Sequence, residues 1–454
     1  MAGEEKSNLT NFLKSGIYKF PNSNTTFIDP VRILNNNYSQ FRVSPSSYYS
    51  RFFNSNSSIN KPQQQHEQEQ EQIGEDSNSG FLKKNTKRKR NQKKNNKNKN
   101  KKQCVGLNEK ELLADQRHQE IRPILVKAHE ELLLAKEVLD VICELNCEPE
   151  GWQRCIDLNS EEVKEELSLV ELGKVWQAQF YEIALRFNEA SKEIEEDGDS
   201  TTDRHYDPRL LPLFNNLNSN ETDNDAVAEF LTLEYVLPKR SCFYMSDLGR
   251  IHNLVPADAD CGFNFIVVDP PWENRSVYQK SAYSTLPNRY FLSIPIRKFA
   301  HTNGALVALW VTNREKLRNF VENELFPAWG VTYAATLYWL KVKADGSLIC
   351  DLDLFHHRPY ECLLIGYTGK QDSNSEILLK KALKDDQVMI SVPGDYSRKP
   401  PVGDLLLEYV PGPRPARCIE LFAREMSAGW TSWGNEPLHF QEARYFSQQT
   451  KHID

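Results

Sequence analysis

At residues 263–274 the chain reads Phe-Asn-Phe-Ile-Val-Val-Asp-Pro-Pro-Trp-Glu-Asn. An apolar run that only Asn264 interrupts indicates a buried strand of a parallel sheet, because such strands are covered on both faces. Pro270 and Pro271 follow Asp269 directly and cannot donate to a sheet ladder, so the strand has to end there. A carboxylate, two prolines and an indole are therefore presented at the carboxyl end of a strand, where open α/β sheets bind ligands.

The chemistry that suits Asp269-Pro270-Pro271-Trp272 is methylation of the exocyclic amine of adenine. That amine is a weak nucleophile because its lone pair is delocalised into the ring. Asp269 and the Pro270 carbonyl can each accept one N–H bond and localise the lone pair toward a sulfonium methyl in line. Trp272 offers a face on which an extruded base can stack, a contact worth about 1–3 kcal/mol. The competing interpretation is a Pro-Pro turn followed by a tryptophan that packs in the core.

Several motifs, in one order, resemble those of a known family. Asp269-Pro270-Pro271-Trp272 is similar to the signature of the DPPW-type adenine methyltransferases, which use S-adenosylmethionine. The flanking motifs narrow the resemblance, over roughly residues 205–448, to the methyltransferase-like protein four branch. These motifs are Trp272–Val277, Trp310–Arg314, Arg358–Glu361 and Trp430–Glu436.

Alternating apolar runs and helical patterns in the second half predict an α/β fold with a doubly wound parallel sheet. The resemblance implies a Rossmann-like class I methyltransferase domain in which the catalytic motif precedes the cofactor motif, a permuted order. We place this domain at residues 225–448 and expect a helix at Ala226–Val236. The acidic, Asn/Ser-rich residues 199–224 are predicted to be a linker.

The first half of the chain is predicted to hold a helical domain behind a disordered basic region. Apolar residues at steps of three and four predict a helical domain over residues 105–198, with a second helical stretch from about Ser160 to Glu195. Residues 1–104 are predicted to be largely disordered, since only 39% of the 454 residues are hydrophobic. Apolar clusters within residues 1–60 leave a second possibility open, a segment that docks on the folded part or on a partner.

Charge and cysteine usage indicate the compartment and the partners. The net charge is −7, yet the basic arm Lys83–Lys102 holds 12 Lys/Arg and no acid. This arm suits nuclear import or phosphate contact, and its alternative is a solvated linker. Nine cysteines without a Cys-x-x-Cys pair suggest reduced thiols in the nucleus or cytosol and no metal site. No apolar run approaches the length of a membrane span, so no membrane partner is expected.

The resemblance, rather than any spacing, implies which residues bind S-adenosylmethionine. The segment Cys418–Arg424 would line the cofactor site, and Lys399 would bind the carboxylate of the cofactor. Phe422 also has a simpler interpretation as core packing. The implied cofactor-binding residues are Asp247, Leu248, Asp269, Lys399, Phe422, Arg424, Asn435 and Glu436.

Two loops are predicted to close over the substrate, Asn274–Tyr290 and Leu348–Tyr360. The first interleaves basic and aromatic residues, which suits a nucleic-acid strand, although an ordinary surface loop would look similar. The predicted substrate-binding residues are Asn274, Arg275, Tyr283, Arg358, Tyr360 and Glu361. Glu361 could instead anchor the second loop.

Three functions stay open at this point. The resemblance implies an adenosine N(6)-methyltransferase acting on RNA, at a 2'-O-methyladenosine of U2 small nuclear RNA, and the chain could work as a monomer. A DNA adenine methyltransferase would use the same reacting atom and the same tetrapeptide. A non-catalytic subunit that binds RNA or a partner is the third, although such family members lose the acid or the tryptophan, and both Asp269 and Trp272 are present.

Overall fold

The computed structural model describes residues 2–49, 109–155, 168–175, 181–187, 209–273, 285–355, 357–369 and 383–449. The basic arm Lys83–Lys102 and the predicted substrate residues Asn274, Arg275 and Tyr283 lie outside these ranges. No helix within the ranges is both long enough and apolar enough to cross a membrane.

Strands dominate the described part of the chain. They are β1 Ile17–Lys19, β2 Thr25–Ile28, β3 Phe41–Val43, β4 Trp152–Arg154, β5 Glu182–Phe187, β6 Arg209–Pro212, β7 Leu217–Asn220, β8 Ala226–Phe230, β9 Leu233–Leu237, β10 Ser241–Met245, β11 Phe265–Val268, β12 Ala305–Val311, β13 Val331–Lys341, β14 Tyr360–Thr368, β15 Gln387–Ser391, β16 Cys418–Leu421, β17 Trp430–Gly434 and β18 Phe446–Gln449. The α-helices are α1 Ala2–Ser15, α2 Pro30–Asn35, α3 Pro45–Tyr48, α4 Glu109–Leu134, α5 Lys136–Cys143, α6 Leu169–Lys174, α7 Ile296–Phe299, α8 Glu315–Phe320, α9 Phe326–Trp329 and α10 Gly403–Leu406.

The centre of the fold is an eleven-stranded mixed sheet in the order β1-β2-β15-β13-β14-β12-β11-β16-β17-β10-β7. Strands β12, β11, β16, β17 and β10 run parallel. The pairs β12·β14, β13·β14, β10·β7 and β1·β2 are antiparallel. The predicted α/β class is confirmed, and the sheet is consistent with a Rossmann-like methyltransferase. The all-parallel sheet is wrong, and the permuted motif order stays a prediction.

Strand β11 lies in the middle of the parallel part, as its sequence predicts. Its four side chains are at most 4% exposed and alternate between two core clusters, one on each face of the sheet. The one polar residue of the run, Asn264, is also buried, because its amide donates to the carbonyls of Pro411 and Pro413 at 2.8 and 3.1 Å. Its Oδ1 accepts the Arg417 N–H at 2.7 Å, so Asn264 ties the entry of β11 to the entry of β16.

The N-terminal segment is folded, so the prediction of disorder over residues 1–104 is wrong for residues 2–49. Strand β2 adds in parallel to β15, and β3 pairs with β18 near the other end of the chain. Phe12, Phe27 and Tyr49 are fully buried in the main core cluster. The apolar clusters in this segment had suggested, as the alternative to disorder, that it docks on the folded part. These clusters make the contacts described above.

The predicted helical domain over residues 105–198 is not confirmed. Helices α4 and α5 form, but Leu125, Ala128 and Leu132 of α4 pack into the core of the central sheet rather than into a separate domain. The second helical stretch is wrong at residues 182–187, where β5 pairs with β6 and β8. Burial alternates along that strand, as expected for side chains that repeat every two residues. The prediction interpreted this spacing of apolar residues as the 3.6-residue period of a helix.

The predicted linker and the following helix are also wrong. Strands β6 and β7 lie inside residues 199–224, and β7 extends the central sheet beside β10. Residues 226–236 form the hairpin β8–β9, with alternate side chains of β8 buried. The α/β unit therefore extends beyond residues 225–448, because β2, β7 and α4 all complete it.

Candidate active site

Four stretches that follow parallel strands meet at one edge of the central sheet. Met245 of β10 is in register with Gly434 of β17, and Leu421 of β16 is in register with both Val268 of β11 and Trp433 of β17. The residues within two positions of these strand ends therefore emerge side by side. They include the predicted Asp247, Asp269, Phe422 and Asn435.

Asp269 is held in place by backbone and side-chain contacts. Its N–H donates to the Leu421 carbonyl at 3.2 Å, which continues the ladder between β11 and β16 by one residue. Its Oδ1 lies 3.3 Å from Lys399 Nζ, and its side chain is 16% exposed. The carboxylate faces open space, because it lines three adjoining cavities.

The Pro-Pro-Trp segment forms a turn in which the two proline carbonyls each accept a backbone hydrogen bond. The Trp272 N–H donates to the Pro270 carbonyl at 2.7 Å, and the Leu286 N–H donates to the Pro271 carbonyl at 3.0 Å. A carbonyl oxygen has two lone pairs, so Pro270 keeps one for a substrate amine. Trp272 lines the cavity next to Asp269 but is only 7% exposed, and its Nε1 donates to the Trp310 carbonyl at 2.8 Å. Its stacking role stays a prediction.

Lys399 bridges two carboxylates from different strands. Its Nζ lies 3.3 Å from Asp269 Oδ1 and 3.4 Å from Glu361 Oε2. Burial alone lowers the pKa of the ammonium, but Asp269 and Glu361 outweigh burial and raise that pKa above its ordinary value. Burial likewise raises the pKa of Glu361, yet Lys341 and Lys399 together lower it to about 2. The result is a buried charge network around Asp269, in which Glu361 stays ionised.

The three cavities share Asp269 and Lys399. One of about 80 Å³ gathers most of the predicted cofactor residues, namely Asp269, Lys399, Phe422, Arg424, Asn435 and Glu436. The second, of about 170 Å³, is lined by Trp272, Trp310 and Glu361 beside the shared pair. The third, of about 240 Å³, extends toward Asn36 and Asn37 of the N-terminal segment and Glu420 of β16. A ligand that spans them would pass directly over Asp269.

Phe422 has a conformation that costs free energy. Its φ of 62° lies in the left-handed region, which is rare for a bulky residue and concentrates at functional sites. Its ring packs edge-to-face on Phe291 and Trp433, at centroid distances of 5.5 and 5.1 Å. Ser397, which lines the same cavity, has a φ of 60°. The ring therefore packs in the core and also borders the cavity, and its contact with a cofactor stays a prediction.

Two predicted cofactor residues lie at the edge without lining a cavity. Asp247 is exposed, and Leu248 begins the 3-10 helix Leu248–Leu254 and packs partly against the core. Neither contributes to the three cavities around Asp269. Their contact with a cofactor stays a prediction.

The predicted substrate residues divide into two groups. Glu361 faces Lys399 as described, whereas Arg358 and Tyr360 are engaged by α4. Arg358 Nη1 donates to the Ala114 carbonyl at 3.1 Å, and the Tyr360 hydroxyl lies 3.2 Å from Nδ1 of His118. Both line a separate cavity of about 490 Å³ under α4. Arg358 and Tyr360 therefore contact α4 and do not lie beside Asp269. Nothing in the sequence indicated that α4 docks at this position.

Three residues at the site were not named individually from the sequence. Glu420 lies inside the predicted lining segment Cys418–Arg424 but was not among the residues named as cofactor-binding. Asn36 and Asn37 carry no signal in the sequence, because only tertiary packing brings the N-terminal segment to the cavity. Within the ranges that the structure describes, no group of three His, Cys, Asp or Glu side chains is placed to hold a metal ion.

Comparison with known proteins finds a family whose profile matches the part of the chain that contains Asp269. The profile of the MT-A70 family matches residues 263–436. N(6)-adenine-specific methyltransferase METTL4 of Mus musculus is 38% identical over 235 residues, which cover 49% of this chain and 48% of that protein. N6-methyladenosine RNA methyltransferase MTA1 of Pyricularia oryzae is 32% identical over 255 residues, 54% of this chain and 64% of that protein. DNA N6-methyl methyltransferase of Caenorhabditis elegans is 33% identical over 218 residues, 47% of this chain and 56% of that protein.

The chain thus spans about half the length of the METTL4 proteins it matches. The matched region begins at the residue before Asn264 and ends at Glu436, so it contains Asp269, Glu361, Lys399 and the cavity that they border. Residues 263–436 are therefore similar to the MT-A70 family, and the Asp269–Lys399–Glu361 network lies inside this matched region.

Proposed function

We propose that this chain is an adenosine N(6)-methyltransferase that uses S-adenosylmethionine. The observation that carries the proposal is the position of Asp269, directly after a buried parallel strand, where it lines three adjoining cavities beside the turn at Pro270. The MT-A70 match and the N6-adenine methyltransferases among the relatives support the same activity.

The residues around Asp269 fit the groups that S-adenosylmethionine presents. Glu436 and Asn435 can hydrogen-bond ribose hydroxyls, and the ring of Phe422 borders the same space. Lys399 offers a positive charge, but its Nζ already contacts Asp269, Glu361 and the Ser397 carbonyl. An ammonium has three donors, so binding a cofactor carboxylate at Lys399 requires one of these contacts to be exchanged. When bound, the cofactor supplies an electrophilic methyl group on a sulfonium.

The protein's part of the reaction is to make the adenine amine nucleophilic. Asp269 accepts one N–H bond of the amine, and the free lone pair of the Pro270 carbonyl accepts the other. The Lys399 ammonium holds the Asp269 carboxylate in position, so no reorganisation is needed when the amine arrives. Trp272 and Trp310 form apolar walls of the cavity next to Asp269 and exclude water from the reacting amine.

For the substrate, we propose RNA, at a 2'-O-methyladenosine of U2 small nuclear RNA. The motifs shared with the methyltransferase-like protein four branch support this choice, and the named RNA activity of the Pyricularia relative supports RNA in general. The basic arm Lys83–Lys102 supports a nuclear location and contact with phosphates. The named DNA activity of the Caenorhabditis relative favours DNA as the second candidate.

The test is Asp269→Asn, assayed on RNA and DNA oligomers of one sequence, with and without a 2'-O-methyl group on the target. Turnover should fall about 100-fold or more while calorimetry still detects cofactor binding, because the amide keeps the shape and loses the acceptor charge. Asp260→Asn changes an exposed carboxylate just before β11 and should keep normal turnover. Undiminished turnover by Asp269→Asn would reject the assignment, and preference for the DNA oligomer would select the second candidate.

A further inference from the structure

Glu420 is a carboxyl group inside the candidate site to which the proposed reaction gives no role. It lies on β16, in register with Val267 of β11 on one side and Ser432 of β17 on the other. Alternation along the strands places Val267, Asp269 and Glu420 on the same face of the sheet. All three line the cavity of about 240 Å³ that opens from Asp269 and Lys399.

The Glu420 carboxyl has no hydrogen bond or ion pair with any residue that the structure describes. The cations near it are committed to other groups. Lys399 contacts Asp269 and Glu361, Arg398 pairs with Glu425, and Arg424 donates to the Ser397 carbonyl at 3.2 Å. Such a side chain calls for a positive charge or a donor from a ligand in the cavity.

The charges around Glu420 favour its neutral form when the cavity holds no ligand. Burial, Asp269 and Glu425 raise the pKa of Glu420 to about 8, and Arg424 and Lys399 counter them only in part. Asp404 of α10 lies exposed at the rim, and the N-terminal segment contributes the uncharged Asn36 and Asn37. Near pH 7 the Glu420 side chain is therefore mostly a neutral acid.

We propose that Glu420 senses the charge of the methyl donor, being neutral in the free protein and ionised when a sulfonium is bound. This inference rests on the proposed function, which requires the sulfonium to lie in line with an amine held by Asp269. Glu420 pairs across the strands with Val267, two residues before that aspartate, and lines the same cavity as Asp269, so the cation arrives in a cavity that Glu420 also lines. A cation in a cavity shielded from water favours the ionised carboxylate.

The charges and protons balance over a turnover. Binding of the donor releases the Glu420 proton to solvent. In the transfer step the amine forms a bond to the methyl carbon, and the electron pair of the broken S–C bond stays on sulfur, which becomes a neutral thioether. The methylated amine then loses one proton. Because the sulfonium charge has gone, Glu420 takes up one proton and returns to its neutral form.

The consequence is discrimination between donor and product. Ionised Glu420 attracts the sulfonium, whereas the thioether product has no charge to attract. If the bound sulfonium lowers the Glu420 pKa by two units from about 8, linkage makes donor binding at pH 7 about tenfold tighter than without the carboxyl group. Product affinity is unchanged, so product leaves more readily than donor.

Calorimetry of donor binding tests this directly. S-adenosylmethionine and S-adenosylhomocysteine are titrated into the full chain at pH 7 in buffers of different ionisation enthalpy, which yields the number of protons released. The wild-type protein should release close to one proton with the sulfonium and none with the thioether. Glu420→Gln, which resembles the neutral acid in shape, should release none with either ligand and bind the sulfonium about tenfold more weakly. Its thermal melting at pH 7 should match the wild type.

The pH dependence and a matched control complete the test. Donor affinity of the wild type should rise from pH 6 to pH 8, since the ionised form binds better, and the Glu420→Gln profile should be flat. Glu408→Gln, an exposed carboxyl on the segment after α10, should behave as wild type. Donor binding without proton release, or proton release that survives in Glu420→Gln, would overturn the proposal. If the wild type bound no donor at all, the proposed function would fall first.

Discussion

Replacing Lys399 with methionine perturbs the charge network at its centre. The change keeps a side chain of similar length but removes the ammonium that lies 3.3 Å from Asp269 and 3.4 Å from Glu361. Side-chain exposures of 13% for Lys399 and 16% for each carboxylate mean that water cannot replace the lost charge well. Stability is the readout, because it does not depend on the proposed reaction.

The expected size of the effect follows from the two contacts. At an effective dielectric constant of about 20, each contact contributes about 5 kcal/mol of Coulomb attraction, and the cost of burying the ammonium offsets much of it. Removing one partner of a buried ion pair typically costs about 3–5 kcal/mol. Lys341 still pairs with Glu361 in the variant, so we expect a loss of about 3 kcal/mol. For a folded unit of this size, that loss lowers the melting temperature by about 3–5 °C.

The loss should depend on pH in a defined direction. The depressed pKa of Glu361, about 2, means that its ion pairs stabilise the fold above its ordinary pKa and that this stabilisation disappears as the pH falls toward 2. Without Lys399 the pKa of Glu361 rises, so Glu361 becomes protonated at a higher pH in the variant than in the wild type. Protonation removes the buried charge that destabilises the variant. The difference in melting temperature between wild type and variant should therefore be full at pH 7 and smaller at pH 4.

Thermal melting at pH 4, 5.5 and 7 measures this. Lys343→Met, at an exposed lysine on the segment after β13, should change stability by less than about 0.5 kcal/mol. Adding Asp269→Asn to Lys399→Met should recover part of the loss, because Lys399→Met leaves the Asp269 carboxylate without its ion pair. A Lys399→Met protein that melts with the wild type at pH 7, or that shows the same deficit at pH 4, would refute the reasoning.

Two further predictions concern contacts that hold the site's surroundings. Asp225→Ala removes an Oδ2 that accepts the N–H groups of residues 39–41 at 2.7, 2.7 and 3.3 Å. Asp225→Ala should lower the free energy of unfolding by about 3 kcal/mol and speed amide hydrogen exchange in residues 39–41. The control Asp223→Ala, at an exposed carboxylate, should leave both unchanged. Unchanged exchange in Asp225→Ala would contradict the prediction. Trp272→Phe keeps an aromatic ring but leaves the Trp310 carbonyl without its donor, so we expect a loss of about 1–3 kcal/mol at every pH in thermal melting. A loss that vanished at low pH would point to another cause.

The parallel core and its binding edge could be predicted from the sequence because their signals are local. A strand buried on both faces has to be apolar throughout, as β11 and β12 are, and a proline pair can only end such a strand. The mixed sheet was not predicted because the composition of a buried strand does not indicate whether it runs parallel or antiparallel to its neighbours. Strand β14, antiparallel to both its neighbours, is buried almost throughout, as β12 is.

The surroundings of the core could not be predicted because they depend on contacts distant in sequence. Arg358 looks like a phosphate ligand until α4 supplies Asp115 and the Ala114 carbonyl. The N-terminal segment has short apolar clusters whose partners stand hundreds of residues away, such as the hydrogen bond from the Gln441 amide to the Tyr38 hydroxyl at 3.1 Å. Local periodicity carries no information about such partners.

The pairing of β3 with β18, together with the place of β2 at the edge of β15, decides where this protein can be cut. A recombinant fragment limited to the family match, residues 263–436, would leave the ladders on β15 and β17 open and would uncover the apolar residues beneath α4. Open ladders invite edge-to-edge association, so such a fragment should precipitate on expression. Biochemists who want the family-matched part of the chain should therefore keep the first 49 residues and the last strand with it.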